Sequence, residues 1–388
     1  MKTVTGLDVV VVGGGIVGVC AAYFLQKAGM NVTVIERGGL GGVGSGVSCA
    51  HLELGLRSSD ESVELSGLGL SLMESMLSDL GNQFDYAKTP AVTYCFDERG
   101  YRFLADLVRV RGEQGWNMTL LPGEEARAQF PLLPEGVLGA AICKSAATID
   151  IDGLVRALTT AIGDRGGRVF EHVEVLDLVM MNGRVSGVST SIGQFSADEV
   201  VIAAGVQTPA LIQSLCSGMR VRPGEIMNWT SKAPEASEAS ILKGPDSFAH
   251  LLPTGQFDGL DGGEEPPVNI RLDSIVHGSN GAVSYWGIGR HGLDNLESPQ
   301  LAQIPQQLPS AGAAISRHLV VPTTPDALPY LGRPNGMEGL IVAVGHSSNN
   351  AAALALGKLV AQIASDAVGS LDIGRFKPER HTRANLSA

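Results

Sequence analysis

The run Asp8-Val9-Val10-Val11-Val12-Gly13-Gly14-Gly15-Ile16-Val17-Gly18 decides the fold. Four successive valines read as a strand buried on both faces, as in a parallel sheet. Gly13, Gly15 and Gly18 then follow at the spacing G-x-G-x-x-G. Ile16, Val17, Ala21, Phe24 and Leu25 recur at helical spacing, and the helix ends near Gly29. Residues 31–35 make a second strand, with Glu36 at its end, 18 residues after Gly18. Strand, glycine turn, helix and strand together are a βαβ unit of about 30 residues.

In that setting each glycine has a task. Gly13 allows the tight turn, Gly15 lets backbone approach a pyrophosphate, and Gly18 lets helix and strand pack closely. The helix start, with Ile16 and Val17, supplies N–H groups and partial positive charge for phosphates. Glu36 can accept hydrogen bonds from an adenosine ribose, and its charge argues against a 2′-phosphate. The unit by itself does not separate FAD from NAD.

Other features bound the class of protein. The 388 residues suffice for one large or two moderate domains. With 44% hydrophobic and 18% charged residues, the chain reads as soluble and globular. A net charge of −12 offers no basic footprint for nucleic acid. No apolar run is long enough to span a bilayer. The first one, residues 9–12, leads straight into glycines, as a strand does and a secretory signal does not. Cys20, Cys49, Cys95, Cys143 and Cys216 are odd in number, widely spaced and without a Cys-x-x-Cys pair. That argues against a metal site or disulfide framework and fits a cytoplasmic location.

Along the chain, residues 62–80 and 152–163 read as helices. Residues 91–96, 168–170, 173–179, 184–190 and 193–196 read as strands. Residues 198–205 and 340–344 read as further buried strands, the latter followed by a Gly-Asn-rich turn and a helix from about Ala351 to Asp366. Residues 221–229 and 281–290 read as strands of a more open sheet, and 253–267 and 294–311 as surface loops. Strands of α/β type thus stand at the start, middle and end, with antiparallel segments between them.

Five stretches resemble the D-amino-acid oxidase family of flavin amine and amino-acid oxidoreductases, which includes glycine oxidase, sarcosine oxidase and the β subunits of dye-linked proline or opine dehydrogenases. The first is the glycine-rich start with Glu36-Arg37. The second is the loop Gly42 to His51, containing Gly44, Ser45, Gly46, Ser48, Cys49 and Ala50. The third is Phe170 to Val175 and the fourth Val201 to Gly205. The fifth is Pro322 to Arg333, followed by Val344-Gly345-His346-Ser347-Ser348-Asn349-Asn350.

The resemblance implies an α/β FAD-binding Rossmann-like domain (residues 1–83, 146–220 and 318–388) interleaved with an α+β substrate domain (84–145 and 221–317) that contains a mostly antiparallel sheet. It implies non-covalent FAD, held by the glycine turn, Glu36, Arg37, the 44–50 loop, Val175, Ala204, Gly205, Gly332 and the Gly345–Asn350 turn. N–H groups where the last helix starts would offset the negative charge that reduction places at the pyrimidine end of the flavin.

The sequence departs from the family at the substrate end. Members like glycine oxidase carry an arginine immediately before the Pro of the Thr-Pro-Asp segment; this chain has Val321. The turn at His346 has no arginine either. Arg290 is one replacement for binding a carboxylate, with Arg333, Arg317 and Arg222 as weaker ones. Glu225 would favour a cationic substrate if it faced the pocket. His51 and His346 are the histidines expected near the flavin, for bonding or for acid–base work.

The implied reaction is hydride transfer to FAD from an amine, amino acid or imino acid, with O2 or an electron-accepting partner as oxidant. The alternatives are a flavoprotein subunit of a hetero-oligomeric dehydrogenase that needs a partner chain, and an NAD-linked dehydrogenase on the same βαβ unit.

Overall fold

The computed structural model describes residues 6–45, 51–57, 59–212, 215–216, 218–232, 240–244, 271–277, 282–289, 315–345, 349–367, 369 and 371–381. The valine run is the strand Asp8–Val12, and each of its valines is at most 5% exposed. It lies inside a six-stranded sheet. The order across the sheet is Tyr330–Gly332, Leu340–Val344, Glu199–Ile202, Asp8–Val12, Asn31–Ile35 and Arg168–Phe170. Neighbours run parallel except Tyr330–Gly332, which is antiparallel to Leu340–Val344. Strands from the start, middle and end of the chain therefore share one sheet.

Alternation along these strands separates two cores. Val9, Val11, Val32, Val34, Val201, Ile341 and Ala343 face helices, among them Ile16–Lys27, Ile151–Asp164 and Asn350–Ala364. Val10, Val12, Ile35, Val200, Ile202, Val342 and Val344 face an antiparallel meander of Val175–Met181, Arg184–Thr190 and Gly193–Ser196. Among the described residues, no helix is long and apolar enough to cross a membrane.

A second, eight-stranded sheet has the order Ile315–Thr323, Arg222–Lys232, Ala282–Gly289, Arg271–His277, Ser240–Lys243, Ala91–Cys95, Gly139–Cys143 and Met118–Pro122. All its pairings are antiparallel except that of Ser240–Lys243 with Ala91–Cys95. A small sheet of His51–Leu52, Ala147–Thr148 and Ala87–Lys88 is built from the segments where the chain passes between the larger ones.

Most expected elements are present within a few residues. The strand expected over 198–205 stops at Ile202, because Gly205 at φ +56° opens a 3-10 turn, Gly205–Gln207. Several elements were not read from the sequence, among them the strands Arg271–His277, Gly139–Cys143, Met118–Pro122, Ser240–Lys243 and Ile315–Thr323 and the helices Glu98–Glu113 and Gly123–Gln129. Helix Glu98–Glu113 buries only Gly100, Leu104, Leu107 and Arg111, so its inner face ends in a charge. Its start was marked locally, since the Asp97 carboxylate accepts from Gly100 N at 2.7 Å. The loops expected over 253–267 and 294–311 lie outside the described residues.

Helix Asn350–Ala364 packs against Ile16–Lys27 and Asp60–Leu80 at backbone range. A Cβ on Gly357 would stand 2.5 Å from Cys20 Cβ, and one on Gly69 would stand 1.8 Å from the Ala351 carbonyl oxygen. Alanine is about 1 kcal/mol better than glycine inside a helix, whereas overpacking costs about 1–3 kcal/mol and backbone cannot step aside. Gly69→Ala should therefore destabilise the protein, by up to about 2 kcal/mol net, in urea denaturation. A gain in stability would show that the two helices do not touch there.

Candidate functional site

The glycine turn is held by backbone from three sides. Gly13 adopts φ +113°, and its N–H donates to the Ile35 carbonyl at 2.9 Å. A Cβ on Gly13 would lie 2.4 Å from the Ala203 oxygen, and one on Gly18 would lie 1.9 Å from the Gly13 oxygen. Neither position has room for a side chain, as their expected roles require. Ile16 and Val17 are buried in the first turn of the helix, which has no acidic residue and no side-chain cap.

Ser45 comes to this helix start from the second motif. Its hydroxyl accepts from Ile16 N at 3.0 Å, and a Cβ on Gly15 would meet the same oxygen at 3.0 Å. It stands at the end of the short helix Gly42–Ser45, which contains Gly44.

The Glu36 carboxylate accepts from Gly14 N at 2.7 Å and from Gly38 N at 2.8 Å. The backbone of 170–173 is zipped to the same loop. Glu36 N donates to the Phe170 carbonyl, Val173 N to the Glu36 carbonyl and His172 N to the Gly38 carbonyl, at 2.8, 2.9 and 3.0 Å. Val175 is buried at the start of the next strand, and Arg37 is exposed. Ala204 and Gly205 follow the strand beside the glycine turn.

The second half forms at the end of strand Leu340–Val344. Gly345 adopts φ +94° and Gly332 φ +135°. Asn349 caps the last helix, with its side-chain oxygen accepting from Ala352 N at 3.1 Å and its Nδ2 donating to Ser66 Oγ at 2.9 Å. Asn350 Nδ2 donates to the His51 carbonyl at 3.3 Å. His51, 6% exposed, is thus brought to the start of this helix. Because Val12 pairs with Ile202 and Ile202 with Val342 in parallel, both helix starts lie at the same edge of the sheet. That edge, outside the carboxyl ends of the strands, is where α/β sheets hold nucleotides. The cradle without side chains, the N–H groups of an acid-free first turn and the Glu36 carboxylate together suit a dinucleotide.

Gly46, Ser48, Cys49, Ala50, Arg290, His346, Ser347 and Ser348 lie outside the described residues, as do the side chains of Glu225 and Arg317. Val321 is 3% exposed and packs in one apolar cluster with Leu54, Val63, Ala91, Cys143, Ala146 and Ile241. Arg333 pairs with Glu199 at 2.6 Å and bonds the Ile363 carbonyl, so its guanidinium serves the fold. The Arg222 side chain is exposed.

A buried charge cluster carried no sequence signal. Glu53, two residues past His51 and 2% exposed, accepts from Arg57 at 2.7 Å and from Lys243 at 3.1 Å. Burial pushes its carboxyl up. The Lys243 ammonium, the Arg57 guanidinium and His51 more than reverse this, holding it well below the usual carboxylate range. Arg111 braces the same segment, donating to the Gly55 and Arg57 carbonyls. Lys243 ends a strand of the eight-stranded sheet, so the pair ties that sheet to the segment carrying His51. A contact spanning 190 residues leaves no local pattern.

Glu53→Gln removes one partner of this buried pair and should cost about 3–5 kcal/mol in chemical denaturation. The carboxyl is depressed by folding, so its contribution is present above the unfolded value of about 4.3 and is lost as pH falls below it. The wild type should lose stability more steeply than the variant below about pH 4. Parallel pH profiles would show that the pair does not stabilise the fold.

The chain is 26% identical over 391 residues to an uncharacterized oxidoreductase, YurR, of Bacillus subtilis (strain 168), covering 95% of this chain and 98% of that protein. It is 25% identical over 398 residues to a glycine oxidase of Geobacillus kaustophilus (strain HTA426), covering 96% and 97%. The crystal structure of glycine oxidase from Geobacillus kaustophilus superposes with a TM-score of 0.81 at 22% identity, covering 97% of this chain and 100% of that one. A family model described as FAD dependent oxidoreductase matches residues 8–363, which decides between the two dinucleotides left open by the βαβ unit. The chain belongs to the DAO family of FAD-dependent oxidoreductases.

Proposed function

We propose that the chain oxidises a C–N bond of an amino acid, imino acid or secondary amine. The observation that carries this is the placing of both helix starts, at Gly15–Ile16 and at Asn349–Asn350, on one edge of the sheet in a chain of this family. The relatives named glycine oxidase support the choice of a C–N bond.

In this reading the six-stranded sheet and its helices hold FAD without a covalent link, through the glycine turn, Ser45, Glu36 and the Gly345–Asn350 turn. The eight-stranded sheet forms the substrate side, with residues 84–145 and 221–317 as its share of the chain. FAD, when bound there, would supply the hydride-acceptor chemistry for the carbon bearing nitrogen, the substrate being converted to an imine that water hydrolyses. The chain's own work is positional. The start of Ile16–Lys27, where Ser45 already takes the Ile16 N–H, would lie against the phosphates, and Glu36, which holds Gly14 and Gly38, would stand toward the ribose. N–H groups at the start of Asn350–Ala364 offset negative charge as it arrives. Glu53, Lys243 and Arg57 hold the wall behind His51. No residue is assigned the amine proton, because substrate that binds as the neutral amine needs no base. The Cys20, Cys95, Cys143 and Cys216 thiols are free and buried, in keeping with a reducing cytoplasm.

One observation favours a second reading, a subunit that works with a partner chain. Leu176 and Met181 are each 59% exposed and Ile192 is 61% exposed, all on the three-stranded meander. Turnover by the purified chain alone would exclude it.

The purified protein should be yellow and release FAD on denaturation. Amines with an adjacent C–H should bleach the flavin anaerobically in a screen of D-, L- and N-alkyl amino acids. A chain that holds FAD but is bleached by none of them refutes the C–N assignment. Glu36→Ala should weaken FAD binding about tenfold or more, since hydrogen bonds to a charged group contribute about 1.5–3 kcal/mol. Fluorescence of released flavin measures it.

A further inference from the structure

The segment Ile373–His381 crosses back over the loop Thr324–Gly332, and the Arg380 guanidinium and the His381 ring join them, His381 Nε2 lying 3.4 Å from Asp326 Oδ2. Arg380 meets Asp326 through two bonds, Nε to Oδ2 at 2.8 Å and Nη2 to Oδ1 at 3.0 Å. It also donates to the Leu328 carbonyl at 2.6 Å and the Pro329 carbonyl at 3.1 Å, and its carbon lies 3.8 Å from the centre of the Tyr330 ring. His381 Nδ1 and the Tyr330 hydroxyl are 2.7 Å apart, and that hydroxyl accepts from Arg220 N at 2.9 Å. A planar fork matched to one carboxylate and two carbonyls specifies a geometry that a lysine cannot reproduce.

The loop being held needs holding. Ala327 adopts φ +57°, a left-handed conformation disfavoured for a residue with a side chain. The turn closes through Ala327 N to the Thr324 carbonyl at 3.2 Å and Thr324 Oγ1 to the Leu328 carbonyl at 2.7 Å. The Leu328 oxygen therefore takes bonds from both Thr324 and Arg380. On its other side, Thr324 Cγ2 occupies the space that a Cβ on Gly345 would need, 2.5 Å away. Arg380, Asp326, the Thr324–Leu328 turn and Gly345 form one unbroken set of contacts that ends at the turn leading into Asn350–Ala364.

We propose that Arg380 is a positioning residue for the flavin: through Asp326 and Thr324 it sets the Gly345 turn against which FAD binds. This rests on FAD lying at that turn, as the proposed function has it.

The test is FAD binding by Arg380→Lys, Arg380→Gln and Asp326→Asn, compared with wild type for dissociation constant and for the visible spectrum of the bound flavin. Circular dichroism of the apoproteins checks folding. Each variant should fold, bind FAD at least tenfold more weakly and show a shifted flavin band. Arg380→Gln combined with Asp326→Asn should be no worse than either alone. Wild-type affinity and spectrum in folded variants overturns the proposal. If no arginine variant folds, hydrogen–deuterium exchange of the wild type decides, because coupling between sites is reciprocal. FAD should then slow exchange in residues 373–381, and unchanged exchange there overturns the proposal. A wild type that binds no FAD would instead refute the functional reading itself.

Discussion

A Cβ at Gly18 would stand 1.9 Å from the Gly13 carbonyl, and one at Gly13 would stand 2.4 Å from the Ala203 carbonyl. Helix, turn and neighbouring strand meet there through backbone alone. The same close approach recurs between helices, where Gly357 meets Cys20 and Gly69 meets Ala351. These contacts bring the last helix against the first, and so place two helix starts on one edge of one sheet. Every later feature of the site depends on this. Ser45 can reach Ile16 N, Glu36 can bracket the turn, and Asn350 can touch His51, because no side chain separates the backbones that carry them.

Charge is handled differently at the two ends of the site. At the nucleotide end, the donors are N–H groups and the acceptor is a half-buried carboxylate. Towards the eight-stranded sheet, Val321 sits in an apolar cluster, and charge appears as the buried Glu53–Lys243–Arg57 set. A buried pair of this kind is weak evidence for net stability, since desolvation offsets much of the attraction. Its clearer consequence is geometric, fixing the His51 segment to the eight-stranded sheet. Burial also pushes the Cys143 thiol up to about 12, so it stays protonated and inert at neutral pH.

The resemblance was legible wherever function resides in consecutive residues. Strand Asp8–Val12, its glycine turn and Glu36 have local signatures, and so does the Asn349 cap. The helix Glu98–Glu113 has an Asp97 cap and an apolar stripe of Tyr101, Leu104, Leu107 and Val108 ending in Arg111, and neither was read from the sequence. Strand Gly139–Cys143 is buried at every position, so it shows no alternation. Glu53 with Lys243 and Arg380 with Asp326 were invisible, as each partner is an ordinary charged residue until the chain brings the two together.

By itself the sequence determined that a βαβ unit opens the chain with a turn suited to a dinucleotide, and Glu36 at the end of its second strand argued against a 2′-phosphate. Spacing suffices for these, since they depend on periodicity and on which residues lack a side chain. Tertiary structure alone decided the place and register of strand Leu340–Val344, one strand removed from Asp8–Val12 in the sheet. It alone placed Lys243 on Glu53 and locked the Thr324–Leu328 turn with Arg380. Those outcomes depend on distances between residues far apart in the chain, which packing of the two cores sets and no local pattern encodes.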